Sequence, residues 1–313
     1  YLVTNTPPSD YNLKKISSSK ENINVPYSII KQSKLAKKEN AKEIILLASE
    51  RPDRNTSIRS TLDLWGLSSY TDYLYTSAEL AFLEGLTPIF EGGFLSPSEM
   101  KHVSEILAFF KILIPSTNIK YYEEKYSKDY AKKYLQIRLK MLEWSGKLNI
   151  PVISGIIIGQ HNTEAQTRQT LDAICSHQQK YNNIHSVSIQ SASLLQDGKP
   201  TKKSDTLMLK ALKYLQNSGL DFTISIPPMH TTNIEEFIDQ GLKDLGSIPI
   251  NPQILFPKID PINFESLEQI VEKKGFKLHQ RLPIKYDFIK EGQYSTKLGQ
   301  VFDSCKYKIK KYE

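Results

Sequence analysis

The amino-acid sequence predicts an α/β fold: a TIM-like (β/α) barrel of about six to eight parallel strands. Two observations carry the prediction. From Glu43 onward, short apolar runs alternate with amphipathic stretches. The runs are rich in β-branched residues and about four to eight residues long, as strands buried on both faces should be. Successive runs lie about 25–40 residues apart, which leaves room for a crossover helix after each strand. No sequence repeat accompanies this spacing, so what repeats is architecture and the chain is not a solenoid. With 313 residues, 39% of them hydrophobic, the chain is large enough to bury one such barrel.

The expected strands, in order, are Leu2–Thr4, Ile44–Ala48, Thr87–Phe90, Ile112–Pro115, Val152–Gly159, Val187–Gln190 and Phe222–Ile226. Helix starts are legible between them. Ser96-Pro97-Ser98-Glu99 sets out an N-cap, a proline at the first helical position and a capping-box glutamate. Thr232-Asn233-Ile234-Glu235 repeats the capping-box pattern, and Asn263 is placed to cap Phe264–Lys274. The stretch Tyr70–Tyr75 reads as part of a helix. The pattern stops near residue 275, so residues 1–275 are assigned to the barrel and 276–313 to a C-terminal extension. That extension holds an extended Leu278–Pro283 segment and a basic tail with Lys306, Lys308, Lys310 and Lys311.

In a barrel of this type, ligands gather at the C-terminal ends of the strands. The segments to inspect are therefore Asn5–Tyr11, Ser49–Asp53, Glu91–Phe94, Ser116–Thr117, Gly159–Thr163, Gln190–Ser193, Pro227–His230 and Ile248–Asn251. No phosphate-binding Gly-x4-Gly-Lys-Ser/Thr loop, zinc-binding His-Glu-x2-His helix or Gly-x-Ser-x-Gly nucleophile elbow is present. Asp53, Glu91 and Glu50 fall on neighbouring strand ends, so a carboxylate cluster is conceivable, but solvated loop carboxylates are the plainer expectation. His161 is read as a turn or cap residue.

The only cysteines are Cys175 and Cys305, too far apart for a metal-ligand spacing, and their scarcity points to a reducing compartment. No apolar run is long enough to cross a bilayer. The expected location is cytoplasm or plastid stroma, with attachment at the periphery of a membrane complex left open. The chain opens on Tyr1 and is read as processed, truncated or part of a longer chain. A net charge of +7 and a pI near 9.0 fit a lysine-rich solvated surface or an acidic partner. Nothing resembles a nucleic-acid-binding module.

Several segments resemble a known family in its own order. Lys42–Asp53 (KEIILLASERPD) resembles the second strand of the radical S-adenosylmethionine half of deazaflavin (FO, 7,8-didemethyl-8-hydroxy-5-deazariboflavin) synthase. Leu142–Gly159 (LEWSGKLNIPVISGIIIG) resembles that family's fifth strand and its approach, and is the most specific match. Leu95–Met100, Ile184–Gln190, Ile226–Pro228, Lys243–Gly246 and Arg281–Ile284 follow in order, with a flavour closest to the cyanobacterial members. The resemblance implies a barrel of the radical S-adenosylmethionine type, a radical ring closure that builds a deazaflavin, and a four-iron cluster. A Cys-x3-Cys-x2-Cys loop after the first strand holds that cluster, leaving one iron open for S-adenosylmethionine.

Here the chain departs from the family. The corresponding loop, Thr4–Ile16, reads TNTPPSDYNLKKI, and no cysteine occurs before Cys175. The family's Gly-Glu after the second strand is Ser49-Glu50; its His-Thr-Asn at the third strand is Ile89-Phe90-Glu91; the glutamate ending its fourth strand falls near Pro115. Its Gly-x-Gly-Glu-Thr turn is Gly159-Gln160-His161-Asn162-Thr163. Scaffold signals persist while site signals are lost together.

The expectation is therefore a catalytically degenerate, cluster-free protein with no catalytic residues and no metal, kept as a structural or binding subunit of a larger assembly. Glu50, Gln190 and Asn251 are the candidates for a residual ligand pocket. Ile89 and Phe90 are expected to fill part of it, with Ser49 crowding Glu50. S-adenosylmethionine and the iron–sulfur cluster are expected to be lost. The alternatives are an FO synthase subunit and a cluster-free enzyme that still binds S-adenosylmethionine or a flavin-type molecule. A larger, acidic protein complex is the expected partner, through Tyr70–Tyr75, Lys125–Lys133 or Cys305–Glu313.

Overall fold

The computed structural model describes residues 2–3, 23–124, 126–159, 162–195, 198–249, 259–281, 292, 294 and 297–299. The chain runs β1 (Leu2–Val3), α1 (Pro26–Lys38), β2 (Glu43–Ala48), α2 (Thr56–Leu64), α3 (Tyr70–Leu83), β3 (Thr87–Gly92), α4 (Pro97–Val103) and β4 (Phe109–Lys111). It continues through α5 (Ile119–Glu123), α6 (Lys128–Lys147), β5 (Val152–Ile158), α7 (Glu164–Tyr181), β6 (Ile184–Ser191), α8 (Ala192–Leu195), α9 (Lys202–Gln216), β7 (Thr223–Ser225), α10 (Ile234–Asp239) and α11 (Phe264–Lys273). The strands form one seven-stranded sheet in the order β1 to β7, and every neighbouring pair is parallel. A further parallel bridge joins Ser225 to Asp244 beyond β7. Strand after strand beside its predecessor, with helices between, is the order of a (β/α) barrel, as expected.

Strand alternation divides the core in two. Ile44, Leu46, Phe90, Phe110, Val152, Ile156, Val187 and Ile189 pack outward against the helices in the larger cluster. Ile45, Leu47, Ile89, Phe109, Leu113, Ile153 and Ile157 form a second cluster on the inner face. Leu298, from the extension, is fully buried in that inner cluster. Close approach of strands is built in at Gly155, where a Cβ would lie 2.1 Å from the Ser188 carbonyl oxygen. The β5–β6 register slips between Val152 and Ile153, which admits His185 as an extra residue, its ring 4.8 Å from that of Phe109.

Local signals decide several helix ends. Ser96 and Glu99 form the expected reciprocal capping box on α4. Asn263 caps α11, its side chain accepting from the Ser266 N–H at 3.0 Å. The Thr232–Glu235 box is not made: Asn233 caps α10 instead, and Thr232 donates both its backbone N–H and its hydroxyl to Asp205. A tertiary partner has captured the residue that local pattern favoured. The fourth strand starts at Phe109, three residues before the expected Ile112, and its pairing continues through Ile112 and Ile114, whose N–H groups donate to Ile153 and Gly155.

Tyr70–Tyr75 lies in α3, as expected, but Tyr70 and Tyr73 are buried in the core, with the Tyr73 hydroxyl donating to the Asn24 carbonyl at 2.8 Å. They are packing residues rather than contact residues. Tyr75 is half-buried, its ring stacked 4.9 Å from that of His102, and the Lys297 ammonium lies 4.8 Å from the Tyr75 ring centroid. Lys128, Lys132 and Lys133 are exposed on α6. Lys125 and Cys305–Glu313 lie outside the described residues. Among the described residues, no helix is long and apolar enough to cross a membrane.

Candidate functional site

The inner face of the sheet is where a barrel holds its chemistry, and here it is apolar below and polar toward the strand ends. Glu91 on β3 and Lys111 on β4 stand opposite each other in the parallel register, so both side chains enter the interior side by side. The Lys111 ammonium donates to Glu91 Oε2 at 2.8 Å, with the two side chains only 9% and 4% exposed. Glu91 thus belongs to the strand rather than to the loop after it. Burying two charges is costly unless each supplies the other's partner, which this pairing does.

Residues from further strands, from the turn after β7 and from beyond α11 complete the lining. Ser188 and Gln190 of β6 face inward, and the Gln190 side-chain amide donates to the Ser188 hydroxyl at 3.2 Å. Ser225 enters from β7. After β7, Pro228–His230 turn through one short 3-10 helix that buries Met229 and His230. The Ser191 N–H donates to His230 Nδ1 at 3.1 Å. Burial, and then the neighbouring Lys111 charge, push the His230 pKa down to about 3, so the ring is neutral with its proton on Nε2. Arg281 of the extension reaches the same region and clasps Asp244, Nε to Oδ2 at 2.7 Å and Nη2 to Oδ1 at 3.3 Å. Lys111, Ser188, Gln190, Ser225, Met229, His230 and Arg281, with Ile45, Ile89, Phe109 and Ile153, line a cavity of about 30 Å³. That is room for roughly two water molecules.

The segments expected to form a site are dispersed. Gln190 lines the cavity; Glu50 does not, and instead accepts from the Tyr126 hydroxyl at 3.0 Å beside the aromatic cluster of Tyr122, Tyr126, Tyr130 and Tyr134. Asn251 and His161 lie outside the described residues. Ile89 enters the cavity wall as expected, but Phe90 does not: strand alternation turns it outward, edge-on to Phe110 at 6.2 Å. The carboxylates do not cluster either. Asp53 binds Arg51, which also bridges to Glu99 at 3.1 Å; Glu91 binds Lys111. Burial works against the Arg51 charge, and the two carboxylates more than offset it, raising its pKa. Of the two residues that give this interior its character, His230 falls in the Pro227–His230 segment marked for inspection, and Lys111 is not singled out by sequence reasoning. The signal for Lys111 was present: a lysine inside the apolar run Phe109–Ile114 at an inward-facing position.

The residues do not fit an iron–sulfur cluster of the kind the resemblance implies. Positions 1–174 contain no cysteine. Cys175 is buried within α7, where burial, and then Asp172, push its thiol up to about 11, disfavouring the thiolate that ligation needs. Among the described residues, no group of three His, Cys, Asp or Glu side chains is placed to hold a metal ion.

Comparison with known proteins points the same way as the motifs. No protein-family profile matches the chain. Among curated proteins, the chain is 29% identical over 272 residues to the 7,8-didemethyl-8-hydroxy-5-deazariboflavin synthase of Methanococcus aeolicus, covering 83% of this chain and 75% of that protein. It is 26% identical over 242 residues to the synthase of Methanothermobacter thermautotrophicus, covering 74% and 72%. With that of Trichodesmium erythraeum it shares 28% over 226 residues, covering 68% and 69%. Over most of its length, on a sheet of successive parallel βα units, the chain is similar to FO synthases.

Proposed function

We propose that the chain is a cluster-free FO synthase-like protein that serves as a structural or binding subunit of a larger assembly rather than as a radical enzyme. The observation that carries this reading is the donor set: three thiolates are needed on one short loop, and none is found before Cys175. The interior supports it. Where a cosubstrate would need open space, a buried ion pair, Ile89 and Met229 stand on the inner face of the sheet. Glu50, which the resemblance assigns to the amino group of S-adenosylmethionine, is held by Tyr126. The exposed lysines at the start of α6 suit an acidic partner surface, with attraction that salt would weaken.

The test is iron and sulfide analysis of the full chain after anaerobic reconstitution, together with titration calorimetry against S-adenosylmethionine. No bound cluster and no saturable heat are expected. A thiolate-to-iron absorption band, or micromolar binding of S-adenosylmethionine, overturns the reading. Co-purification at low and high salt tests the assembly: a lone monomer under both conditions removes its support.

A further inference from the structure

Lys111 differs from the other lysines of this chain. Among the described residues it is the lysine found in the buried class, and it faces a cavity. A lysine removed from water, beside a group able to take its proton and a space able to hold a reactant, has the three elements of amine nucleophilic catalysis. Glu91 Oε2 lies 2.8 Å from Nζ. The cavity beside it holds roughly two waters, room for an aldehyde of two or three heavy atoms. Gln190 and Ser188 offer an amide and a hydroxyl to that space, and Arg281 lines it with its guanidinium already bound to Asp244. With that guanidinium neutralised by Asp244 and Lys111 paired with Glu91, the lining favours a small uncharged carbonyl compound.

We propose that Lys111 is a Schiff-base-forming site for a small uncharged aldehyde, with Glu91 as the proton carrier. The Lys111 ammonium passes a proton to Glu91. The freed nitrogen lone pair forms a C–N bond to the carbonyl carbon, and the carbonyl oxygen takes the proton that the nitrogen then sheds. Glu91 returns its proton to the resulting hydroxyl, the C–O bond breaks, water leaves, and the nitrogen lone pair closes C=N. Ammonium plus aldehyde has become iminium plus water, with no change of oxidation state. The iminium carries the same single positive charge as the ammonium, so Glu91 keeps its partner throughout. A buried carboxylate is never stranded, which is what makes the reaction compatible with this interior.

The site stands apart from the scaffold reading, which is tested by iron content and co-purification. Its own test is reductive trapping: the full chain is incubated with limiting formaldehyde and cyanoborohydride, digested, and the labelled lysines are mapped by mass spectrometry. Labelling of Lys111 about 100-fold faster than the mean of the exposed lysines is expected, the lower end of what a positioned proton carrier contributes. The preference should vanish in urea, where the cavity and Glu91 are no longer in place, and the labelled peptide should be missing from Lys111→Arg. Labelling confined to exposed lysines in the folded chain overturns the proposal. So does equal labelling of Lys111 in folded and unfolded protein.

Discussion

Replacing Lys111 by methionine separates two accounts of the barrel interior. The substitution keeps most of the apolar stem and removes the charge, leaving Glu91 on a strand where its side chain is 4% exposed. A carboxylate stranded in this way costs about 3–5 kcal/mol. Against a total stability of roughly 5–15 kcal/mol, that brings the fold near its threshold. Removing both charges, Lys111→Met with Glu91→Leu, should restore stability to the parent level or above it, because no ion is left to desolvate. Urea unfolding followed by circular dichroism gives all three free energies, provided the slopes agree. If Lys111→Met alone costs less than about 1 kcal/mol, the pair behaves as an exposed one and the dry, charge-paired interior is refuted. A double variant no better than the single refutes it equally.

Other expectations follow from single positions. Gly155→Ala drives a Cβ to 2.1 Å from the Ser188 backbone oxygen, an atom with little freedom to move, so a loss of about 2 kcal/mol or more is expected in thermal unfolding. His230 stays neutral down to about pH 3 when folded and takes up a proton near 6.5 when unfolded. The unfolded state therefore binds the extra proton in that window, and stability should fall by about 1.4 kcal/mol per pH unit as pH drops through it. His230→Gln should flatten that acid limb. Asn183, 1% exposed, receives or donates hydrogen bonds to His177, Ser145 and the Ile150 carbonyl. Asn183→Ala should cost about 2 kcal/mol by leaving those groups unpaired, measurable in the same urea assay.

Which features were legible in the sequence follows from how far apart their determinants lie. The α4 cap was readable because Ser96 and Glu99 satisfy each other three residues apart. The α10 cap was misread because Thr232 and Asn233 are both good caps, and the choice between them rests with Asp205, 27 residues upstream. The phase of β3 was ambiguous for a related reason. In a strand buried on both faces, Ile89 and Phe90 are equally apolar, so nothing local says which one faces the barrel. The start of β4 was missed because Lys111 interrupts an otherwise apolar run, and its partner Glu91 lies on another strand. Glu50 was legible as a residue of interest, but its capture by Tyr126, 76 positions away, was not.

The Glu91–Lys111 pair also constrains how this lineage can change. Each charge is tolerated only in the presence of the other, so a mutation that removes one meets a steep selective penalty before the second can arrive. The two positions are therefore expected to change together or not at all. A barrel that has acquired such a couple is held away from any ancestral interior that lacked it. Reversal demands simultaneous substitutions on two neighbouring strands, while the rest of the sequence remains free to drift. The pair acts as an epistatic ratchet, and its joint presence or joint absence among related chains is a marker of which branch a given chain descends from.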